Sequence, residues 1–186
     1  MKTCVVTLES VSPYSQSRYH NSPKLEKEQA QDYEERTWRN RLNVNTDGYV
    51  FIPPMAFKNC LSEAAKYLSV QISGKGKSTY TKHFVSGIMV MDPLVLPIKP
   101  EQINGEWLHV PADGRRGGPK RVLKCFPFIS AWKGEVLFHI LDDTITEKIF
   151  EHHLEQAGKF IGIGRFRPAN NGYYGRFKIS SEILFQ

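Results

Sequence analysis

The sequence predicts an α+β fold, and three observations support this. Residues 2 to 8 alternate between apolar and polar side chains, as in a half-buried strand. Residues 53 to 68 and 144 to 157 place apolar side chains at helical spacing. Two further extended segments, 135 to 141 and 176 to 179, lie on either side of the second helix.

The first element is a strand followed by a long polar segment. Cys4, Val6 and Leu8 point to one face of this strand, and the residues between them point to the other. A polar loop follows over 12 to 20. Residues 24 to 41 are rich in charge and are predicted to be helical in part, with Asp32/Arg36 and Glu35/Arg39 at the i,i+4 spacing of an exposed helix.

The first helix has a clear start. Asp47-Gly48 indicates a turn, residues 49 to 52 are extended, and Pro53-Pro54 suits the first turn of a helix. The core stripe of this helix is predicted to be Phe57, Cys60, Leu61, Ala64 and Leu68.

Residues 70 to 120 are interpreted as a large basic insertion. Flexible loops are expected at 74 to 77 and 114 to 119, with extended segments near 84 to 91 and 94 to 98.

The second half repeats the pattern of strand and helix. Strands are predicted over 122 to 129 and 135 to 141. Thr144 and Glu147 have capping-box spacing, and Gly158 is a plausible helix stop. In the last strand, Phe177 and Ile179 are expected to face the core while Arg176 and Lys178 face outward. This order predicts one ferredoxin-like (RRM-like) βαββαβ domain over 1–186, with the insertion and a C-terminal glycine-rich loop.

The composition excludes several protein classes. The chain has 186 residues, 40% of them hydrophobic, and no apolar run approaches the roughly 18 residues of a membrane helix. Cys4, Cys60 and Cys125 form no CxxC pair, which argues against a zinc ribbon or a disulfide framework. We therefore expect a cytoplasmic protein without metal, cofactor or membrane partner.

The charge is unevenly distributed. The net charge is +6, but no Asp or Glu occurs in 64 to 91, 114 to 134 or 156 to 181. These windows hold 15 of the 25 Lys and Arg residues. Such separation makes basic surfaces suited to a polyanion, although charge alone is equally consistent with a solvated face.

The most specific pattern is the glycine-rich loop between the last helix and the last strand. It reads Gly162-Ile163-Gly164, then a spacer with Arg165, Arg167, Asn170 and Asn171, then Gly172-Tyr173-Tyr174-Gly175. Glycines allow backbone N–H groups to face an anion, arginines bind phosphate, and aromatic rings stack on bases. A structural turn in which the glycines serve close packing is the alternative.

This loop, at this place in a ferredoxin-like domain, resembles the RAMP superfamily, the RNA-binding subunits of CRISPR systems. The resemblance covers about the last fifth of the chain, and the size suits a small backbone subunit of a Cascade-type complex. It implies that the loop contacts the RNA backbone. The implied partners are single-stranded RNA, with further copies of the chain along it or other effector subunits.

Residues in four places are expected to contact nucleic acid. They are, in the C-terminal loop, Gly162, Gly164, Arg165, Phe166, Arg167, Asn170, Asn171, Gly172, Tyr173, Tyr174, Gly175, Arg176 and Lys178; after the first strand, Ser15, Gln16, Ser17 and Arg18; and, in the insertion, Lys75, Lys77 and Lys82, and Arg115, Arg116, Lys120 and Arg121.

Three functions stay open. The leading one is RNA binding without catalysis. The second is a metal-independent endoribonuclease, because related repeat-processing enzymes use a histidine near the N-terminal domain as a general base and His20 lies beside hydroxyl and basic groups. The third is an interaction protein that mimics a CRISPR subunit and blocks complex assembly.

Overall fold

The computed structural model describes residues 1–112, 114 and 117–186. The strands are β1 (Lys2–Ser10), β2 (Phe51–Ile52), β3 (Ile88–Met89), β4 (Leu94–Val95), β5 (Asn104–Pro111), β6 (Arg121–Phe128), β7 (Lys133–Ile140), β8 (Phe177–Ile179) and β9 (Leu184–Phe185). The helices are α1 (Ala30–Thr37), α2 (Pro54–Leu68), α3 (Thr81–Gly87) and α4 (Glu147–Gln156).

The main sheet is antiparallel with the strand order β3-β7-β1-β8. Strand β1 pairs along one edge with β7 and along the other with β8 and then β9. With α2 between β1 and β3, and α4 between β7 and β8, this is the predicted ferredoxin-like arrangement. The α+β fold class is confirmed.

The core lies between the main sheet and the helices. The predicted inward residues Cys4, Val6 and Leu8 of β1 are all buried. From β7, Val136, Phe138 and Ile140 are buried as predicted, and from α2 so are Phe57, Cys60, Leu61 and Ala64. The periodicity of these segments therefore identified the faces that pack together.

Three local predictions were wrong. Helix α4 starts at Glu147 and is capped by Thr146, whose hydroxyl accepts the Ile149 N–H at 3.4 Å, and Thr144 instead follows an Asp142 turn. Gly158 does not end the helix, because a π-helical turn continues over Ala157–Ile161. Residues 84 to 87 belong to α3 and are not extended.

The charged segment also differs from prediction. Helix α1 continues into a 3-10 turn over Trp38–Arg41. Arg36 pairs with Glu28 at 2.7 Å instead of Asp32, and Arg39 lies over the Trp38 ring at 4.2 Å. Helical spacing allowed the predicted pairs, but side chains outside the helix offered better partners.

Residues 70 to 120 contribute strands both to a separate hairpin and to the main sheet. Strands β5 and β6 form a regular hairpin that joins Asn104 to Phe128 at its base and Pro111 to Arg121 at its far end. Strand β3 lies in the main sheet, where Ile88 pairs with Ile140. We retain as a proposal that one RRM-like domain carries an insertion here. No helix in the described ranges is long and apolar enough to cross a membrane.

Candidate nucleic-acid interface

The glycines of the C-terminal loop are required by close packing. Gly162, Gly164 and Gly175 have φ angles of 71°, 77° and 78°, which L side chains rarely adopt. A Cβ atom at Gly164 would overlap Tyr14, and one at Gly175 would overlap the carbonyl oxygen of Ile163. The loop can therefore take this path only with glycine at these positions.

The glycine loop lies against the loop that follows β1. Arg165 N–H donates to Ser15 O at 2.9 Å, and Gly175 N–H donates to Pro13 O at 2.7 Å. Beyond them, Val11 N–H donates to Arg176 O at 2.8 Å. The two loops thus form one unit at the end of the sheet where β1 finishes and β8 begins.

Much of the loop backbone is already hydrogen-bonded. Tyr174 N–H donates to Phe166 O at 3.0 Å and Gly172 N–H donates to Arg167 O at 3.0 Å. Further N–H groups that donate to protein carbonyls are those of Ile163, Asn170 and Asn171. The backbone can therefore supply only part of the anion site expected from the glycines, and side chains must supply the rest.

The arginines of the loop have acidic neighbours, contrary to expectation. Arg167 pairs with Glu63 of α2 at 2.9 Å. Arg165 lies over the Phe126 ring at 3.6 Å, and burial lowers the pKa of its guanidinium while the nearby Glu106 acts in the opposite direction. These acids come from remote segments, so the acid-free window around the arginines gave no sign of them.

The aromatic residues of the loop differ in exposure: Tyr174 is packed, whereas Phe166 and Tyr173 are open to solvent. The Tyr174 hydroxyl donates to Glu106 Oε1 at 2.6 Å, and its ring meets Phe128 edge-on. Burial and this hydrogen bond raise the pKa of Tyr174 to about 12. Phe166 and Tyr173 are instead 50% and 60% exposed, so their rings are the ones open to a base.

An open groove runs beside the glycine loop. One wall is the loop itself, including Phe166, another is the segment after β1, including Arg18, and the third is the first turn of α2 with Met55. The N-terminus of α2 adds a partial positive charge. The groove brings together eight of the predicted contact residues: Gln16, Ser17, Arg18, Gly164, Arg165, Phe166, Arg167 and Asn170.

The predicted residues after β1 do not all face the groove with free groups. Ser15 is 1% and Gln16 2% exposed. The Gln16 side chain donates to Phe51 O at 2.7 Å and accepts the Asn43 N–H at 2.6 Å. Ser15 and Gln16 therefore have structural roles, whereas Ser17 and Arg18 are exposed.

Arg18 occupies a central position. Besides the groove, it borders two neighbouring depressions, one with Arg39 and one with Lys124. A strand of nucleic acid in any of the three would pass this side chain.

Arg176 and Lys178 face a different surface. The Arg176 guanidinium donates to Lys159 O and Tyr173 O, both at 3.2 Å, and Lys178 lies 3.7 Å from Glu9. Both border a depression between β8 and the end of α4. They are not brought together with the groove.

The described basic residues of the insertion do not line the groove. Lys75 and Lys77 follow the C-terminal end of α2, and a helix of 15 residues spans about 22 Å, whereas Lys82 lies on α3, which packs back along α2. Lys120 and Arg121 lie at the far end of the hairpin, whose strands extend about 27 Å. Arg115 and Arg116 are outside the described residues.

His20 borders the depression that contains Arg18 and Lys124. Its Nδ1 lies 3.0 Å from the Ser22 hydroxyl oxygen, and its ring faces that of Tyr33 at 6.4 Å. Burial, with a smaller effect of Arg41, lowers the pKa of His20. This shift favours the neutral form of the imidazole.

Sequence reasoning missed a buried ion pair behind this surface. Arg41 lies 3.0 Å from Glu34, and the two residues are 7% and 5% exposed. Arg41 donates to Cys125 O at 3.1 Å, and Glu34 accepts the Cys125 N–H at 3.3 Å. The pair fixes β6 to the charged segment, and nothing local distinguishes these two residues from their exposed charged neighbours.

Comparison with known proteins concerns the fold. No protein-family model matches the chain, and no curated protein matches it. Among solved structures, the crystal structure of Cmr6 from Pyrococcus furiosus aligns with 97% of this chain and 99% of its own, at 14% identity and a TM-score of 0.49. A Cas6 product complex aligns with 94% of this chain and 50% of its own, at 10% identity and a TM-score of 0.34.

The sequence predicted a ferredoxin-like arrangement with a glycine loop before the last strand of its core. The structure has this arrangement, with α2 and α4 packed on the main sheet. The loop joins α4, through the π-helical turn, to β8, the strand that pairs with the end of β1. The chain has a ferredoxin-like fold with a glycine loop between its last helix and last strand.

Proposed function

We propose that this chain binds single-stranded RNA, without cleaving it, as a subunit or relative of a CRISPR-type ribonucleoprotein. The observation that carries the proposal is the convergence of the glycine loop, the segment after β1 and the first turn of α2 on one open groove. Exposed Arg18 and half-exposed Phe166 line this groove together.

The chemistry of the groove favours a single strand. Arg18 and the helix terminus can neutralise phosphates. Phe166, with Tyr173 on the outer surface of the same loop, offers aromatic faces, and stacking on such faces contributes about 1–3 kcal/mol per base. Paired bases are stacked on each other and cannot use these faces, so an unpaired strand is the ligand that fits.

The biological setting follows from the resemblance of the loop to RAMP proteins. It suggests a guide-RNA-like ligand and, as protein partners, further copies of this chain or other effector subunits. In a first test, purified protein is expected to carry RNase-sensitive nucleic acid, seen as a high A260/A280 ratio and a larger gel-filtration size that both fall after RNase treatment.

The sharper test compares two alanine substitutions, each of which removes one positive charge. Arg18→Ala should weaken binding of a fluorescein-labelled 20-nucleotide uridine strand and lower the slope of log Kd against log salt by roughly 0.7. Lys148→Ala, exposed on α4 and not among the groove residues, is the matched control and should leave both unchanged. Equal slopes for wild type and Arg18→Ala would sink the groove assignment.

Arg165 and Arg167 are less suitable for this test. Because Arg167 is paired with Glu63 and Arg165 packs on Phe126, replacing both would disturb the loop as well as the surface charge. Loss of binding in that double variant would therefore not distinguish a contact from a support.

A ribonuclease activity is the second candidate, because His20 lies in a depression that also contains Arg18 and Lys124. A neutral imidazole there is in the right state to act as a general base on a 2′-hydroxyl. Cleavage of hairpin RNA in EDTA that disappears in His20→Ala would establish it. If several hairpin RNAs remain intact, the ribonuclease candidate fails and RNA binding without cleavage is the function that stands.

A further inference from the structure

The groove contains amide side chains that phosphate binding does not require. Asn43 enters it from the segment after the 3-10 turn, Asn59 from α2 and Asn170 from the glycine loop. Asn59 lies one helical turn after Met55, so both face the groove. Neutral amides add little to the attraction of a polyanion, but they carry both donors and acceptors, as base edges do.

Asn43 is held in a single orientation. Gln16 is buried, and its Nε2 must donate to Phe51 O, which leaves Gln16 Oε1 as an acceptor. That oxygen accepts both the Asn43 N–H at 2.6 Å and Asn43 Nδ2 at 3.2 Å. The backbone of Asn43 is fixed on the other side as well, since its carbonyl accepts the Phe51 N–H at 3.0 Å.

This arrangement leaves a defined pair of groups on Asn43. Within the described part of the chain, its Oδ1 and the second hydrogen of Nδ2 have no protein partner. They form a fixed acceptor and donor in the same groove that the half-exposed ring of Phe166 and the 55% exposed side chain of Met55 line. An amide of this kind matches the amino group and adjacent ring nitrogen of adenine in a bidentate pair.

Two of the three arginines in the groove are poorly placed to select guanine, and the third, exposed Arg18, is assigned to phosphate. Arginine reads guanine through two parallel hydrogen bonds from its guanidinium. Arg167 already pairs with Glu63, and Arg165 is stacked on Phe126. The amide of Asn43 is therefore the base-reading group best prepared in this groove.

From these observations we infer that the groove reads one unstacked adenine, held by Asn43 and stacked on Phe166. The inference rests on the proposed RNA binding and adds base selectivity to it. Gln16 acts as a positioning residue, because it orients Asn43 without facing the base.

The test uses the full chain and four fluorescein-labelled ten-nucleotide strands. One is all uridine, and the others carry a single central A, C or G. By fluorescence anisotropy, the strand with A should bind about 5-fold or more tightly than the uridine strand. The strands with C and G should stay within 2-fold of it.

Variants separate base reading from general affinity. Asn43→Ala should remove the preference for A, so that the A strand and the uridine strand bind within 2-fold of each other. Asn104→Ala, at an exposed residue that does not line the groove, is the control and should keep the preference. A thermal melt of each variant confirms that it is folded.

The outcomes are distinct. Binding of all four strands by wild type within 2-fold, or a preference for C or G, overturns the adenine site and leaves RNA binding standing. A preference for A that persists in folded Asn43→Ala overturns the role of Asn43. Failure to bind any strand overturns the proposed function together with this inference.

Discussion

The guanidinium carbon of Arg165 lies 3.6 Å from the centre of the Phe126 ring, and that of Arg41 lies 5.3 Å from the same ring. Phe126 is 8% exposed. One aromatic side chain of the hairpin thus connects the glycine loop to the buried ion pair of Glu34 and Arg41. The same ring therefore packs against one residue of the groove and one residue of the buried pair.

Replacing Phe126 should loosen the glycine loop. Phe126→Leu keeps most of the buried apolar volume but removes the ring beneath Arg165, and we expect a loss of about 1–2 kcal/mol in the free energy of unfolding. Urea denaturation measures this. Tyr19→Leu is the control: because Tyr19 is 85% exposed, its cost should stay within about 0.5 kcal/mol. Equal costs would mean that Arg165 gains nothing from the ring.

Replacing one partner of the buried ion pair Glu34–Arg41 should strongly lower the free energy of unfolding. Glu34→Gln leaves Arg41 charged and buried, so we expect destabilisation of about 3–5 kcal/mol. Glu9→Gln removes a partner of Lys133 in a pair whose side chains are 36% and 59% exposed, and it should cost about 1 kcal/mol or less. Chemical denaturation of both variants gives the comparison, and similar losses would show that the inner pair is not buried in solution.

Alanine substitutions at two glycines can distinguish the effect of steric overlap from that of backbone strain. Gly175→Ala should destabilise the chain more than Gly76→Ala does. Both residues have positive φ, 78° and 60°, but a Cβ at Gly175 would overlap Ile163 O, whereas nothing lies within 4 Å of one at Gly76. The strained conformation alone costs about 1–3 kcal/mol in each case. Thermal unfolding of the two variants should therefore show a clear gap, and no gap would contradict the described loop path.

The ionisation of Tyr174 should oppose folding at high pH. Burial and the hydrogen bond to Glu106 raise its pKa from 10.0 to about 12 in the folded chain. A raised pKa means that the stabilising contribution is complete below pH 10 and is lost as the pH rises towards 12. The difference between ultraviolet titrations of wild type and Tyr174→Phe should thus show a tyrosine that ionises near pH 12. A midpoint near 10 in the folded protein would refute the contact with Glu106.

The sequence was sufficient for β1, β7 and β8 of the main sheet and for α2 and α4 because their signals are local, whereas β3 was assigned to the insertion and β9 was not predicted. The alternation in β1 and β7 and the stripe of α2 come from burial on one face, which periodicity records directly. Strand order then followed from the succession of elements and the preference for simple connections. The cap of α4 was misplaced by two residues because Thr144 and Thr146 both precede the helix, and only the backbone geometry distinguishes them.

The candidate site was less predictable because its contacts are long-range. The partners of Arg165 and Arg167 lie on β5, β6 and α2, and no spacing within the loop indicates them. Gln16 was predicted to contact RNA because polar loop residues are usually exposed, yet it is buried by its bonds to Asn43 and Phe51. Asn43 itself lies in a segment with no motif. Its place in the groove is visible only once the fold brings these loops together.

Strand β1 is paired along both edges, so the main sheet can be completed only late in synthesis. One edge of β1 is completed by β7, but the other is completed only by residues 177 to 185, after almost the whole domain has left the ribosome. Until then the second edge exposes unpaired backbone groups that can associate with other chains. A nascent chain that stalls after α4 should therefore bind chaperones more strongly than one released after β9.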